Sequence, residues 1–104
     1  MYDDDYPTCR ETFATLRVFV EPEKPNLLSS ESHVASKDVR RHIDYVLDLI
    51  DRDSELRASI REHRSDITCF WASAQGHGGP TVSPQQMSRL ASLGIDLWFD
   101  FYGE

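Results

Sequence analysis

The last third of the chain constrains the fold most, because it has two strand patterns separated by one short helix with clear ends. Asp66 to Ala74 is rich in strand-forming residues and is apolar on both faces, as in a central strand. Ser83 and Pro84 predict a helix start, since serine caps the free N–H groups and proline fits the first turn. Gly94 predicts its end.

The helix and the strand that follows it also have predicted faces. Gln86 can complete a capping box with Ser83, and Val82 can pack onto Met87. We expect Met87, Leu90 and Ala91 to face inward. Ile95 to Tyr102 then alternates between apolar and polar positions, which predicts a final strand with one strongly apolar face. A strand, a helix and a strand in this order indicate a right-handed parallel crossover.

The N-terminal half predicts an antiparallel hairpin. Thr12 to Val20 has the two-residue period of a strand, and Asn26 to Ser30 is a short second strand. The five residues Glu21–Pro25 can join antiparallel strands only, because a parallel connection needs a dozen or more. Residues 1–10 have no periodicity and are expected to be a flexible acidic tail before a single domain over residues 11–104.

Two helical patterns fill the middle of the chain. Ser36 is a suitable N-cap for a helix over residues 37–51, and a weaker pattern at residues 54–63 can continue that helix after a kink. The sequence therefore predicts an α+β fold with the order β-β-α-(α)-β-α-β. We expect a four-stranded mixed sheet with two to three helices packed on one face.

Composition supports one cytoplasmic domain. The 104 residues are 39% hydrophobic, enough for one core. No apolar run approaches the roughly 20 residues of a membrane span, and the chain does not start with a secretory signal. Cys9 and Cys69 lie far apart in sequence, and a structural disulfide is not expected in a reducing compartment.

The net charge of −7 points away from direct nucleic-acid binding, which depends on neutralising phosphates with Lys and Arg. A basic protein surface is the natural electrostatic complement of an acidic domain. Solubility alone explains the same charge equally well.

Three segments carry a family resemblance: FATLRVF, LLSSESHVASKDVRRHIDYVLDLI and TCFWASAQGHGGPTVSPQQMSRLASLGIDLWFDFYG. Together they resemble a bacterial family catalogued as domain of unknown function 4279. The resemblance implies a compact α+β sandwich and a bacterial source. It implies no activity, because the family is named for lacking one.

The sequence differs from that family between the first two strands. Family members usually have a helix and a longer connection there, whereas only Glu21–Pro25 remain in this chain. Loss of that helix is expected to leave apolar sheet surface for another chain to cover. The residues expected there are Phe13, Phe19, Trp98 and Tyr102.

The glycine-rich loop is the first candidate for a ligand site. Backbone N–H groups near a helix start can hold an anion, and His77 can titrate near neutral pH. However, Ser83 already serves as the cap and the loop has no Lys or Arg, so a tight turn is the simpler interpretation. The candidate residues are Gly76, His77, Gly78 and Gly79.

Other catalytic and metal patterns are weak. The four histidines have no standard metal-ligand spacing, and no metal or cofactor is predicted; they are His33, His42, His63 and His77. Cys69 has no sequence signal for a partner base. Asp96 and Asp100 share a strand face, but four residues along a strand separate their Cβ atoms by roughly 13 Å, which is long for a catalytic pair.

The sequence thus predicts a non-enzymatic, acidic protein-binding module. In bacteria and phages, such chains often act as stoichiometric inhibitors or immunity-type proteins, and the expected partner is a basic toxin, a nuclease or a defence complex. A small-ligand or enzymatic domain that uses His77 is one alternative, and a homodimeric accessory domain is another. The predicted partner-binding residues are Asp96, Trp98, Asp100 and Tyr102, with Asp44 and Asp48 as a second acidic face.

Overall fold

A computed structural model describes residues 1–103 and contains four strands and three helices in this part of the chain. In chain order they are β1 (Cys9–Glu21), β2 (Lys24–Ser29), α1 (Val39–Arg52), α2 (Ser54–Glu62), β3 (Ser65–Ser73), α3 (Pro84–Leu93) and β4 (Asp96–Tyr102). The predicted α+β class, element order and four-stranded mixed sheet with helices on one face are confirmed.

The sheet has the strand order β2-β1-β3-β4. β1 is antiparallel to both of its neighbours, so the predicted hairpin with β2 forms. β3 and β4 run parallel in the register that places Asp66 opposite Asp96, which confirms the crossover as a parallel connection. β2 and β4 are therefore the two edge strands.

The core lies between the helices and one face of the sheet, which we name the core face. Apolar side chains of α1 recur on one side of the helix and pack there, because residues three and four apart share a helix face. They are Val39, Ile43, Val46, Leu47 and Ile50. The sheet contributes alternate residues of its two central strands: Ala14, Leu16, Val18, Ile67, Cys69 and Trp71.

The start of α1 differs from the prediction. Asp38, and not Ser36, is the N-cap, and its carboxylate accepts a hydrogen bond from the Arg40 N–H at 3.0 Å. The Ser36 hydroxyl instead accepts from the Asp38 N–H. Burial would raise the pKa of Asp38, but hydrogen bonds from the Arg40 side chain and from the backbone of Asp3 and Arg40 outweigh it, so that this pKa is lowered. The charged carboxylate is thus the stable form.

α2 is a separate helix and not a kinked continuation of α1. Asp53 has an extended backbone that ends α1, and its side chain accepts a hydrogen bond from the Leu56 N–H to cap α2. One residue therefore terminates one helix and starts the next. None of the three helices within residues 1–103 is long and apolar enough to cross a membrane.

α3 begins and ends as predicted but presents a different face to the core. Ser83 and Gln86 form the capping box, and Gly94 ends the helix in the left-handed conformation. Gln86 and Leu90 are buried, whereas Met87 is 54% exposed and Ala91 is also exposed. The prediction that Met87 and Ala91 face inward is therefore wrong.

The N-terminal segment also differs from the expected solvated tail. β1 starts at Cys9, inside residues 1–10, and the residues before it contact the helical layer. The Tyr2 hydroxyl donates to Asp44 at 2.7 Å, and the Asp3 N–H donates to Asp38 at 2.8 Å. The segment is held because its Tyr2 hydroxyl and Asp3 N–H are donors, and the carboxylates of Asp44 and Asp38 on the helical layer are acceptors.

Candidate partner-binding face

The sheet surface opposite the helices is the largest group of predicted site residues that the structure brings together. We call it the open face. Alternation along the strands and the pairing registers assign it the side chains of Phe13, Thr15, Arg17, Phe19, Asp66, Thr68, Phe70, Asp96, Trp98, Asp100 and Tyr102. Since α1, α2 and α3 pack on the core face, no helix among residues 1–103 covers it.

Three rings form a continuous aromatic strip at one end of the open face. Phe13 stacks on Phe70 with ring centroids 5.0 Å apart. Phe70 in turn lies 5.1 Å from Tyr102 in a tilted arrangement. These rings cross three neighbouring strands, because Phe13 is opposite Phe70 in the antiparallel register and Tyr102 is on the adjoining parallel strand. The strip offers apolar surface on the open face.

Arg17 holds together the other end of the open face. Its guanidinium donates two hydrogen bonds of 2.7 Å to the Asp66 carboxylate, and these bonds raise the pKa of Arg17. The same group lies 5.2 Å from the ring of Trp98 and 5.1 Å from the ring of Phe19. Arg17 is therefore ion-paired with Asp66 and makes cation–π contacts with Phe19 and Trp98.

The four β4 residues predicted to bind a partner all lie on the open face. Trp98 is 43% exposed and Tyr102 is 51% exposed, so about half of each residue is available for contact with another molecule. Asp96 is exposed and Asp100 is half-buried. Among residues 1–103, neither of these two carboxylates forms an ion pair. The open face thus combines exposed rings with available negative charge.

The predicted second acidic face lies on the helical layer and has partners within the chain. The Asp44 carboxylate accepts hydrogen bonds from the Tyr2 hydroxyl at 2.7 Å and from Gln86 at 2.8 Å. Asp48 accepts from Arg89 at 3.0 Å. The sheet separates these residues from the open face, so Asp44 and Asp48 do not join the Trp98 surface.

The glycine-rich loop packs against the N-terminal segment. Gly78 has φ = 89°, and a Cβ atom there would lie 2.5 Å from the side chain of Thr8. The Tyr6 hydroxyl donates to the carbonyl of Gly79, and the Ser73 hydroxyl donates to the carbonyl of His77. Close packing therefore accounts for Gly78, and His77 itself is exposed.

A buried Ser–His pair is the arrangement that sequence analysis missed. The Ser30 hydroxyl lies 2.6 Å from Nδ1 of His42, and Nε2 of His42 lies 2.8 Å from the Ser36 carbonyl. Ser30 also accepts the N–H of Ala14. The pair links β1 to α1, because Ser30 bonds both Ala14 and His42. Both side chains are inaccessible to solvent and therefore to a substrate. Only the tertiary contact between β1 and α1 reveals it, because nothing in the local sequence marks Ser30.

The two cysteines and the possible metal ligands are the remaining groups that could carry chemistry. Cys9 and Cys69 are free and buried, and burial raises the pKa of the Cys69 thiol to about 12, which disfavours the nucleophilic thiolate. Within residues 1–103, no group of three or more His, Cys, Asp or Glu residues is placed to hold a metal ion.

A family model described as domain of unknown function (DUF4279) matches residues 26–104. The chain belongs to this family. The DUF4279 match begins within β2, at its third residue, and includes the three helices, β3 and β4. It begins after β1, so the strand that lies between β2 and β3 is outside the matched segment. No curated protein and no solved structure matches the chain.

Proposed function

We propose that this chain is a non-enzymatic protein-binding module that docks a protein partner on its open face. The observation that carries the proposal is the exposure of Trp98 and Tyr102 on a sheet surface that no helix among the described residues covers. Tryptophan and tyrosine supply most of the binding energy at many interfaces, because large rings exclude water while losing little conformational entropy. Phe13 and Phe70 extend the apolar surface beside Tyr102.

The charge of the open face supports a partner with a basic surface. Asp96 and Asp100 flank Trp98 on one strand, and the whole chain carries a net charge of −7. Such a surface accelerates association with a positively charged protein and disfavours acidic ones. The role we propose is that of a cytoplasmic stoichiometric inhibitor or immunity-type protein that occupies a basic toxin, nuclease or defence complex.

The test compares open-face variants with variants of the opposite side of the molecule. Trp98→Ala removes the exposed ring, and Asp100→Lys reverses one carboxylate. The matched controls are Met87→Ala, which removes an exposed apolar side chain from α3, and Glu62→Lys, which reverses an exposed charge at the end of α2. A partner is captured from cells in which the chain occurs naturally, and its affinity is then measured by titration calorimetry.

We expect Trp98→Ala to weaken binding by at least about 2 kcal/mol, the usual threshold for an anchor residue. Asp100→Lys should mainly lower the association rate and its dependence on salt. Both control variants should bind like the original chain. Equal binding by all four variants would exclude the open face as the docking surface.

A further inference from the structure

The two edges of the sheet are protected very differently. The β2 edge has Lys24 and Pro25, and its register with β1 shifts between Val18 and Glu21. Proline, lysine and irregular pairing are the features by which proteins block strand addition at an edge. β4 has no proline, no lysine and no register shift in its seven residues.

The outer edge of β4 also lacks a neighbour. Its only strand partner is β3, and no backbone hydrogen bond from another segment within residues 1–103 reaches its outer side. Phe101 points to the core face and stacks on Trp71 at 5.3 Å, yet it remains 47% exposed. The helical layer therefore leaves the margin of the core uncovered at this edge.

We propose that two copies of this chain pair through β4 as antiparallel strands and form one continuous eight-stranded sheet. The two-fold axis is perpendicular to the sheet, so the open faces of both copies lie on the same side. This inference concerns the edge of β4 and does not require the partner proposed for the open face.

Geometry limits the possible registers. Directly opposite residues in an antiparallel pair lie on the same face, so an open-face residue must meet another open-face residue. Only three registers then pair five or more of the seven β4 residues. They place the two-fold axis at Trp98, at Phe99 or at Asp100.

Charge selects one of these three registers. The axis at Trp98 places Asp96 opposite Asp100 of the second copy, and the axis at Asp100 places Asp100 opposite itself. Like charges directly opposite each other are destabilising. With the axis at Phe99, Asp96 meets Tyr102 and Trp98 meets Asp100, so that no two carboxylates are opposite and all seven residues are paired.

The core face supports the same register. The axis at Phe99 places Leu97 opposite Phe101 of the second copy, where the exposed part of the Phe101 ring gains an apolar neighbour. Asp96 and Asp100 thus destabilise the registers with the axis at Trp98 or Asp100, and they do not destabilise the register with the axis at Phe99.

Charge changes at Tyr102 test the register, because this residue is exposed at the end of β4 and should face Asp96 of the second copy. Tyr102→Glu creates two like-charge contacts per dimer, and Tyr102→Lys creates two opposite-charge contacts. The double variant Tyr102→Glu with Asp96→Lys restores opposite charges. Sedimentation equilibrium over a range of concentrations measures the dimer dissociation constant, and circular dichroism confirms that each variant is folded.

We expect the original chain to dimerise and Tyr102→Glu to raise the dimer dissociation constant by about tenfold. Tyr102→Lys should lower or preserve this constant, and adding Asp96→Lys to Tyr102→Glu should restore it. An original chain that stays monomeric at all concentrations, or a folded double variant that is not restored, overturns the inference. If the original chain is a monomer but still captures a partner through Trp98, the β4 dimer is overturned and the proposed function stands.

Discussion

His42 connects two parts of the core through both of its ring nitrogens. Because the ring is buried and Nδ1 faces the Ser30 hydroxyl, the arrangement is satisfied when Nε2 carries the only proton and donates to Ser36. Burial lowers the pKa of His42, although the Ser36 carbonyl and the charge of Asp38 act in the opposite direction. The neutral ring is therefore part of the folded state.

This predicts a loss of stability in mild acid. The folded chain holds a lowered His42 pKa, so the unfolded chain binds the proton more readily below its ordinary value of 6.5. The contribution of His42 is complete above that pH and falls with decreasing pH, by up to about 1.4 kcal/mol per pH unit. Urea unfolding between pH 7.5 and pH 5 measures the slope.

His42→Asn provides the control for this prediction, because asparagine cannot titrate but its side-chain oxygen can still accept from Ser30. The variant should be less stable at pH 7.5 and should show a smaller slope between pH 6.5 and pH 5. Identical slopes for both proteins would show that other groups cause the acid sensitivity.

At the scale of single elements, the ends of α3 were predicted correctly from Ser83, Pro84 and Gly94, whereas its buried face was not. Capping depends on local hydrogen bonds, which the sequence specifies within a few residues. The buried face depends on Gln86, whose side-chain amide donates to the Arg40 carbonyl at 2.7 Å and to Asp44 at 2.8 Å. A polar residue with partners on another helix cannot be recognised from apolar periodicity.

Separate alanine substitutions of Gln86 and Met87 test which face of α3 is buried. Gln86→Ala removes the cap contact and the side-chain hydrogen bonds to the Arg40 carbonyl and Asp44, so we expect a loss of about 1–3 kcal/mol in the free energy of unfolding. Met87→Ala removes only an exposed side chain and should change this free energy by about 0.5 kcal/mol or less. Urea unfolding of both variants gives the comparison, and a larger effect for Met87→Ala would contradict the observed helix face.

Within the sheet, the alternation of β4 was sufficient to place Asp96, Trp98, Asp100 and Tyr102 on one surface, because a strand has a fixed two-residue period. The sequence could not show which of these side chains already had partners. Arg17 reaches both Trp98 and Asp66 only because β1 and β4 lie on either side of β3. Asp44 similarly appeared free until the fold brought Tyr2 and Gln86 to it.

For the molecule as a whole, residues 1–5 join the helical layer to the start of β1. Besides the contacts of Tyr2 and Asp3 with α1, the carboxylate of Asp4 accepts hydrogen bonds from Ser36 at 2.6 Å and from Arg41 at 2.9 Å. The lack of periodicity in residues 1–10 predicted a tail, because pattern analysis does not detect a segment that is held by polar contacts.

Deletion of residues 1–5 should therefore destabilise the fold. We expect a loss of at least about 2 kcal/mol, since the buried Asp38 carboxylate loses one of its donors and several other polar contacts disappear. Thermal unfolding measures the effect. Asp5→Ala is the matched control. The Asp5 side chain is exposed, so this substitution removes a negative charge of the segment without removing these contacts. Equal melting temperatures for the deletion and the original chain would refute this structural role.

The position of β1 in the middle of the sheet affects how the chain can be made. Arg17 pairs with Asp66, 49 positions later in the sequence. A two-stranded hairpin is at best marginally stable in water. During translation, β1 therefore has β2 as its single strand neighbour until β3 has been made. The pairing that places β1 inside the sheet consequently forms only after α1 and α2 have also been made.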